Sequence, residues 1–505
     1  MVGLGMRERE YLRHRYRVVV AHVGFILGLV GVLMGMALAS VLTAPPSTRI
    51  ALGYGLPALA CATIGSAAWR RWRDPEVMLS RGEGVLVVVL AWIVASLAAA
   101  VPLAITENLG ASQAIFEAVS GWTTTGLSVL DPATATHATL LWRSLMQLAG
   151  GAGLAIVMLA AATPLGSPSL AAAEGRAELL APHVRASTLL VLRIYVAEAV
   201  LGSVALWAVG MTPFDAINHS CGAVSTGGFS TRGASIGAWD SAAIEGVLMV
   251  LMILGSMNFV TLWCMIRGRW RAVSGNGEVR LAALVMPIAA GVLFLATVGG
   301  LYGFGPRGVR IACFEAVSAL TTTGYSTVSY AAWNAMGTLV LILLMIIGGA
   351  TCSTAGGVKQ YRIHLLWRGV VQELRRAVRP ARVVSVDGTW EGGELRPITD
   401  ASLKAAGVFL FLYLTTWVLG AMLVVAQGVD APAALFEFAS ALGTVGLSVG
   451  VTGPHTSSGV LWVEIVGMLL GRLEFFVLLA GLARLGRHGI AFAGGLGARR
   501  GDGAD

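Results

Sequence analysis

The chain is 505 residues long, with 56% apolar residues and only 12% charged residues. Together with a mean hydropathy of +0.77, this composition excludes a soluble globular protein and indicates an integral membrane protein. The net charge of +8 would suggest nucleic-acid binding, but the arginines cluster in short loops beside apolar segments, which is the pattern that orients membrane proteins.

The first 82 residues predict a basic segment and two membrane-spanning helices. Five arginines within residues 1–17 precede an apolar run from about 18 to 42, and a second run lies near 50–69. Basic residues before an apolar run are also typical of a signal peptide. This run is longer than a signal sequence needs and a second one follows it, so we expect two retained helices after a cytoplasmic N-terminus.

Eight further apolar segments follow, each long enough to cross about 30 Å of hydrocarbon as a helix. They lie near residues 84–105, 139–162, 187–210, 243–266, 281–302, 336–358, 403–427 and 458–483. A Thr/Gly-rich motif separates the two members of each consecutive pair. The order predicts an all-α integral membrane protein with four tandem helix–pore loop–helix repeats around a pseudo-fourfold pore. The predicted parts are residues 1–82 (N-terminal helices), 83–165 (repeat 1), 186–270 (repeat 2), 280–365 (repeat 3, with a broken second helix), 366–397 (basic cytosolic loop), 398–486 (repeat 4) and 487–505 (cytosolic tail).

The distribution of arginines predicts ten crossings with both termini in the cytoplasm. Loops predicted inside carry arginine clusters, and the loop after repeat 3 is the most basic of them. Segments predicted outside hold few cations, namely Arg49, Arg232, Arg307 and Arg310. This asymmetry follows the positive-inside rule.

The repeated motif is clearest at residues 314–326 and 116–128, whereas 436–448 is a looser copy and 224–230 preserves only its last half. Each copy begins as a short apolar helix and ends in a Thr/Gly run that disfavours helix. Alignment on the glycine gives a column of glycines, with threonines two residues before it and serines two residues after it. These columns are Gly126, Gly228, Gly324 and Gly446; Thr124, Thr226, Thr322 and Thr444; and Ser128, Ser230, Ser326 and Ser448.

This pattern is typical of a potassium filter, because a dehydrated cation needs oxygen ligands in place of water. Potassium channels supply them as rings of backbone carbonyls from four Thr-Val-Gly-Tyr-Gly loops, and residues 444–446 read Thr-Val-Gly. Small-residue runs also pack membrane helices against one another, but that alternative does not explain four copies in register. The predicted K+ ligands, mainly through backbone carbonyls, are Thr124, Thr125, Gly126, Thr226, Gly227, Gly228, Thr322, Thr323, Gly324, Thr444, Val445 and Gly446. We predict no other cofactor and no transition-metal site, since the five cysteines and the histidines lack metal-ligand spacing.

Residues 348–357, here called the glycine loop, are ten consecutive small residues inside an apolar segment, and four of them are glycine. Each glycine costs roughly 1 kcal/mol relative to alanine in a helix. Non-helical backbone at this depth needs burial in protein or a water-filled cavity. We therefore expect an intramembrane loop beneath the filter; a tight seam between two helices is the alternative.

The chain resembles the Trk/Ktr/HKT superfamily of potassium transporters, and within it the TrkH-type subunits. Besides the Thr/Gly copies, the resemblance lies in residues 143–153, 252–259, 348–359 and 470–474. It implies K+ uptake across a bacterial cytoplasmic (inner) membrane by a homodimer with one pore per protomer. It also implies a cytosolic nucleotide-binding ring of the TrkA type, for which the basic stretch 359–382 is a candidate docking surface or simply an orientation signal. Glycine in all four copies implies potassium preference, because serine at the position of Gly126 accompanies sodium permeation in the superfamily.

Arg472 lies near the middle of the last apolar segment, where an arginine costs roughly 2.5–3.5 kcal/mol on insertion scales. It is either a barrier that faces the pore and contacts carbonyls of the glycine loop, or one half of a structural ion pair with another helix. The resemblance favours the first, with a gate formed by Gly348, Gly349, Ser353, Thr354, Gly356, Gly357, Lys359 and Arg472.

Glu117, Glu315 and Glu437 occupy one column, nine residues before the glycine. We attribute them to stabilisation of helix N-termini, with attraction of cations as a second possibility. The second copy has Asn218 and His219 in this region, so its pore helix is expected to start differently from the others.

Two rival functions remain open, and a third, a membrane enzyme, is not expected. One is a carrier coupled to a sodium or proton gradient, although such carriers usually consist of two inverted halves. The second is a sodium-permeable member of the same superfamily. A membrane enzyme would need a titratable or metal-binding cluster in the membrane, and none is visible in the sequence.

Overall fold

The computed structural model describes residues 6–42, 47–74, 77, 79–153, 184–378, 388–391 and 394–484. The end of predicted repeat 1, parts of the predicted basic loop and the predicted tail lie outside these residues. Helices α1 (Met6–Met36) and α2 (Thr48–Trp72) form an N-terminal pair, and a 3₁₀ turn at Ala37–Leu42 follows α1. They pack so closely that a β-carbon on Gly65 would overlap the backbone of α1 at Gly24 and Gly28. Small residues at such a seam let two membrane helices approach.

The remaining helices form four units of the same design, each with a long helix, a short pore helix and a second helix. Repeat 1 contains α3 (Arg81–Glu107), α4 (Ala111–Trp122) and α5 (His137–Gly151). Repeat 2 contains α6 (Val184–Ala208), α7 (Pro213–Val224), α8 (Ala242–Ser256) and α9 (Phe259–Ile266). After α10 (Trp270–Gly275), repeat 3 contains α11 (Gly277–Leu293), a π turn, α12 (Gly299–Tyr302), α13 (Pro306–Leu320), α14 (Ala335–Ile347) and α15 (Gln360–Val378). Repeat 4 contains α16 (Asp400–Val425), α17 (Ala431–Leu442), α18 (Ser458–Leu473) and α19 (Phe475–Arg484).

The predicted all-α membrane fold with four tandem repeats is confirmed. Among the described residues, six helices are long and apolar enough to cross a bilayer, and two bent helix pairs raise the number to eight. The two other predicted crossings are represented by α5 and α14, which are 15 and 13 residues long. The rest of the first of these, 154–162, lies outside the described residues.

The described residues of the predicted basic loop 366–397 form a helix and two strands. Helix α15 runs to Val378, and strands β1 (Gly388–Glu391) and β2 (Glu394–Pro397) pair antiparallel, with Gly388 opposite Pro397. Helix α15 combines basic side chains with an apolar face. This stretch was judged from the sequence by its high content of basic residues, and that content does not distinguish an amphipathic helix from an irregular basic loop.

Helix breaks are more numerous than the single one predicted in repeat 3. Helix α8 bends by 115° into α9, and α18 bends by 105° into α19. Both breaks follow a glycine that touches the end of a pore helix: a β-carbon on Gly255 would overlap the carbonyl of Val224, and one on Gly471 would overlap that of Leu442. These two breaks were not predicted from the sequence, because the residues on both sides of each break are apolar and hydropathy does not report the direction of the backbone.

Candidate functional site: four Thr/Gly loops and the glycine loop

The four Thr/Gly copies fold into loops with one shared backbone conformation, which we number 1 to 4 in chain order. Each pore helix ends four residues before the aligned glycine. The aligned threonines then adopt left-handed φ values of 57°, 52°, 56° and 50°, and the glycines adopt 91°, 73°, 81° and 97°. Left-handed backbone is strained for a β-branched residue and concentrates at functional sites. When left-handed and right-handed backbone conformations alternate along a loop, successive carbonyls point to the same side. In a β-strand, successive carbonyls point to opposite sides.

The loops meet in a closed ring. A β-carbon on Gly126 would overlap the carbonyl oxygen of Gly227, and one on Gly228 would overlap that of Thr323. In the same way, Gly324 faces the Val445 carbonyl and Gly446 faces the Thr125 carbonyl. In every loop, the carbonyl of the residue just before the aligned glycine therefore faces the aligned glycine of the preceding loop, and loop 4 counts as the loop preceding loop 1. All twelve residues predicted as ligands lie in this ring of loops, and their role as ligands stays a prediction.

One cavity of about 470 Å³, here called the vestibule, is lined by all four loops. The glycine and serine columns both line it. The left-handed threonines are at the other end of the loops and are buried. The glycine end of the ring of loops therefore opens into the vestibule, whereas the threonine end is buried in the protein.

The acidic column braces the loops rather than the helix N-termini, so the dipole explanation is wrong. Glu117 is the seventh residue of the twelve in α4. Its carboxylate accepts hydrogen bonds from the Ser128 hydroxyl at 2.9 Å and the Val129 amide at 3.0 Å. Glu437 accepts the equivalent bonds from Ser448 and Val449. Glu315 accepts from Thr327 and from Tyr330. These carboxylates tie the pore helices of repeats 1, 3 and 4 to the chain that leaves each loop.

Repeat 2 achieves the same brace with a different side chain. His219 aligns with the three glutamates, and its Nε2 lies 3.0 Å from the Ser230 hydroxyl. Its pore helix begins at Pro213, 15 residues before Gly228, just as α4 and α17 begin 15 residues before Gly126 and Gly446. The expectation of a different start is therefore wrong for repeat 2; α13, which begins 18 residues before its glycine, is the longer one.

Arg143 is a buried member of the site whose role the sequence did not reveal. Its Nε lies 2.8 Å from Glu117, and its Nη2 donates to the Ser128 hydroxyl at 3.0 Å. The guanidinium carbon lies 3.9 Å from the centre of the Phe229 ring. An arginine inside an apolar segment, in the repeat that carries Glu117, was the available signal. Arg143 neutralises the buried carboxylate and joins loop 1 to loop 2.

We predict that Arg143→Leu lowers the free energy of unfolding by roughly 3–5 kcal/mol, because it leaves Glu117 buried without its cation. Thermal unfolding in detergent measures the change. Adding Glu117→Gln to this variant should recover part of the loss. Arg307→Leu is the matched control, since Arg307 and its partner Asp240 are 65% and 57% exposed and exposed pairs contribute about 0–1 kcal/mol. Equal losses for both arginines would contradict the assignment.

The glycine loop is a closed turn whose two ends touch. Gly348 and Gly357 have φ values of 72° and 77°, and a β-carbon on either would lie within 2.8 Å of the other's Cα. The Gln360 amide donates to the Gly349 carbonyl at 2.9 Å, and its side chain donates to the Gly348 carbonyl at 3.0 Å. The predicted break in this segment is therefore present, with the loop held shut at its base.

The tip of the glycine loop contacts the threonine end of three Thr/Gly loops. The hydroxyl oxygens of Thr354 and Thr226 lie 3.1 Å apart, and the Gly356 amide donates to the Thr322 hydroxyl at 2.8 Å. Gly356 also packs against loop 4, where a β-carbon would overlap the Thr444 hydroxyl. The loop therefore covers the threonine end.

Three further groups hold this tip. Glu278 accepts from the Thr351 amide at 2.7 Å and from its hydroxyl at 2.9 Å. Ser353 is buried, and its hydroxyl donates to the Ala350 carbonyl. The Lys359 ammonium donates to the Ala355 carbonyl. Glu278 was missed by the sequence analysis, because it stands 70 residues before the loop that it anchors.

Arg472 lies in the last turn of α18, next to the break, and not in the middle of a continuous helix. One guanidinium nitrogen donates to the Thr354 carbonyl at 2.6 Å. The other donates to the Gly150 carbonyl at 2.6 Å and lies 3.3 Å from that of Gly151. Arg472 therefore bridges the glycine loop to the end of α5.

Glu474, at the break itself, makes an ion pair of 2.9 Å with Arg362 of α15. A small cavity of about 70 Å³ lies on this side of the glycine loop, lined by Arg362, Arg472, Glu474 and loop residues. The loop thus separates this cavity from the threonine end.

Comparison with known proteins gives consistent matches over most of the chain. Residues 57–484 match the TrkH family, described as cation transport protein. The Trk system potassium uptake protein TrkH of Escherichia coli K12 is 33% identical over 434 residues, covering 82% of this chain and 88% of that protein. The protein of the same name from Vibrio parahaemolyticus is 30% identical over 497 residues, covering 92% and 98%. The crystal structure of the potassium transporter TrkH from Vibrio parahaemolyticus superposes with a TM-score of 0.79 at 29% identity, over 92% of this chain and 98% of that one.

Proposed function

Because this chain belongs to the TrkH family of cation transport proteins, we propose that it takes up potassium through the ring of Thr/Gly loops. The observation that carries the proposal is the closed ring in which the carbonyls of Thr125, Gly227, Thr323 and Val445 each face a glycine of the neighbouring loop. Stacked carbonyl rings are the ligands that replace the water shell of K+. The names of the relatives, which are potassium uptake proteins, support the same substrate.

Potassium preference over sodium follows from the four glycines in the ring. A side chain at any of the four would displace a ring carbonyl, so glycine keeps all four loops alike. Four like loops give a cation site of uniform size, lined by carbonyl oxygens rather than by a side chain. Potassium ions are the only bound cofactor that we propose.

The glycine loop and Arg472 form the gate of the proposed pathway. In the arrangement described here the loop covers the threonine end, and Arg472 joins it to α5. A guanidinium beside a cation pathway also raises the barrier to cations by direct repulsion. Opening would require Thr354 and Gly356 to leave Thr226 and Thr322, and Arg472 to release the loop.

The surroundings of this multi-pass protein are proposed as well. We place it in a bacterial cytoplasmic membrane with both termini in the cytoplasm, which puts α15 and the hairpin inside the cell. We further propose a homodimer that binds a TrkA-type nucleotide-binding ring, with basic helix α15 as the docking surface. Helix α15 follows the glycine loop directly, and its Arg362 pairs with Glu474 beside Arg472. Movement of this helix would therefore reach both parts of the gate.

The purified protein in a planar bilayer tests this function against a coupled carrier. We expect single-channel current steps carried by K+, with reversal potentials that follow the K+ gradient, because ions cross an open pore without a conformational cycle for each ion. A planar bilayer without protein provides the baseline. Uptake that requires a sodium or proton gradient and shows no current steps would favour the carrier. Equal permeability to sodium would favour a sodium-permeable relative.

A further inference from the structure

We propose that loop 2 is completed by two side chains from neighbouring repeats, Gln147 of repeat 1 and Tyr325 of repeat 3, which act as positioning residues for ion selectivity. The proposal rests on the proposed function, because it assigns these residues to the same carbonyl ring. Loop 2 is the least similar copy of the motif, with glycine at two positions where the other loops carry bracing side chains.

The first missing brace is a serine six residues before the aligned glycine. In loop 1, the Ser120 hydroxyl donates to the Leu127 carbonyl at 2.6 Å and accepts from the Gly126 amide at 3.1 Å. Ser318 makes the first of these bonds in loop 3, and Ser440 makes the second in loop 4. These serines fix the chain on both sides of the glycine.

Loop 2 has Gly222 at this position, and the Tyr325 hydroxyl occupies the space. A β-carbon on Gly222 would overlap that hydroxyl. The hydroxyl lies 3.3 Å from the carbonyl of Phe229, the residue that aligns with Leu127, and 3.1 Å from the carbonyl of His219. Tyr325 is completely buried. A hydroxyl from loop 3 thus takes the place of the serine that loop 2 lacks.

The second missing brace is the β-branched residue immediately before the aligned glycine. Loops 1 and 3 have Thr125 and Thr323 there, each with a hydroxyl 2.8 Å from that of a second threonine of its own loop. Loop 4 has the buried Val445. Loop 2 has Gly227, which has no side chain to pack behind the ring.

Gln147 occupies the place of that side chain. A β-carbon on Gly227 would overlap the Gln147 side chain, from Cγ to the amide carbon. The Gln147 amide nitrogen donates to the Gly227 carbonyl, and its Oε1 accepts from the Phe229 amide at 3.3 Å. The Gly227 carbonyl is the one that faces Gly126 in the ring. Gln147 therefore fixes the one ring carbonyl whose own residue has no side chain.

Without this clamp, loop 2 would contain two unbraced glycines in succession, Gly227 and Gly228. Glycine has the largest conformational freedom of all residues, so the Gly227 carbonyl would sample more orientations and the ring would discriminate less sharply. We expect Gln147→Ala to lower the K+/Na+ permeability ratio by roughly fivefold, the factor that corresponds to a hydrogen bond of about 1 kcal/mol. Reversal potentials of the full-length protein in a planar bilayer, under biionic K+ and Na+, give this ratio.

Two variants separate positioning from general packing. Gln147→Ala combined with Gly227→Thr should restore the ratio, because the new threonine fills the vacated space as it does in loops 1 and 3. Met468→Ala is the matched control, because Met468 precedes Gly471 by three residues, as Gln147 precedes Gly150, and is buried in the same hydrophobic cluster as Leu127 of loop 1. Loop 1 keeps Thr125, so this variant should lose stability and retain its permeability ratio.

Tyr325→Phe removes a single oxygen and tests the other brace if the alanine variant does not fold. We expect it to lower the same ratio about twofold to fivefold, since it removes one neutral hydrogen-bond donor, and to leave K+ conductance measurable. The inference alone is overturned if the wild type prefers K+ over Na+ and both Gln147→Ala and Tyr325→Phe retain the wild-type permeability ratio. It is also overturned if Met468→Ala lowers the ratio as much as Gln147→Ala does. The same holds if the double variant Gln147→Ala, Gly227→Thr does not recover the wild-type ratio. A wild type that does not prefer K+ overturns the proposed function, and this inference with it.

Discussion

Gly126→Ser is expected to lower the K+/Na+ permeability ratio by about tenfold or more, which corresponds to about 1.4 kcal/mol of discrimination. Gly126 has a φ of 91°, and its β-carbon would overlap the Gly227 carbonyl. A serine therefore has to displace that carbonyl or change the backbone, and either change makes the ring of carbonyls unequal and adds a hydroxyl beside it. The smaller sodium ion then finds ligands that a uniform carbonyl ring does not provide.

The matched control is Gly233→Ser. Gly233 lines the same vestibule, and a β-carbon there would meet nothing within 4 Å. This control should retain the wild-type permeability ratio. Because the ring is cyclic, Gly324→Ser should reproduce the effect through the Val445 carbonyl. An unchanged ratio in Gly126→Ser would show that the carbonyl ring is not the selective element.

Arg472→Ala is expected to raise the basal potassium conductance of the purified protein by about tenfold or more. The substitution removes hydrogen bonds to the carbonyls of Thr354 and Gly150. Charge-assisted hydrogen bonds contribute about 1.5–3 kcal/mol each, so the loss of one that holds the glycine loop closed shifts the gate by a tenfold factor or more. Removal of a positive charge from the pathway acts in the same direction. Open probability in planar bilayers measures the change.

Arg472→Lys separates the two contributions. Lysine keeps the charge, but its single ammonium on a flexible chain does not reproduce the planar guanidinium that reaches both carbonyls. A low basal conductance in this variant would assign the barrier mainly to charge, and a high one would assign it to the bridge. Wild-type basal conductance in Arg472→Ala would contradict a gating role for this residue.

The local design of the loops was predictable from the sequence because it depends on backbone preferences of neighbouring residues. Thr/Gly runs disfavour helix wherever they occur, and the four copies contain them at equivalent positions between apolar segments. The glycine loop was predictable for the same reason, since four glycines in ten residues weaken a helix regardless of its surroundings. A fourfold repeat with alternating apolar segments was enough to indicate the fold.

The partners of individual side chains were decided by the tertiary structure. Glu117 and its equivalents were assigned to helix termini, yet they accept hydrogen bonds from residues that follow the loops. The bends after Ser256 and Leu473 arise where a glycine of one helix meets the end of a pore helix, and hydropathy carries no record of that contact. Gln147, Tyr325 and Glu278 act on segments about 70 to 100 residues away in the chain. Backbone preferences are local and can be read along the sequence, whereas these contacts exist only after folding has brought distant segments within hydrogen-bond distance.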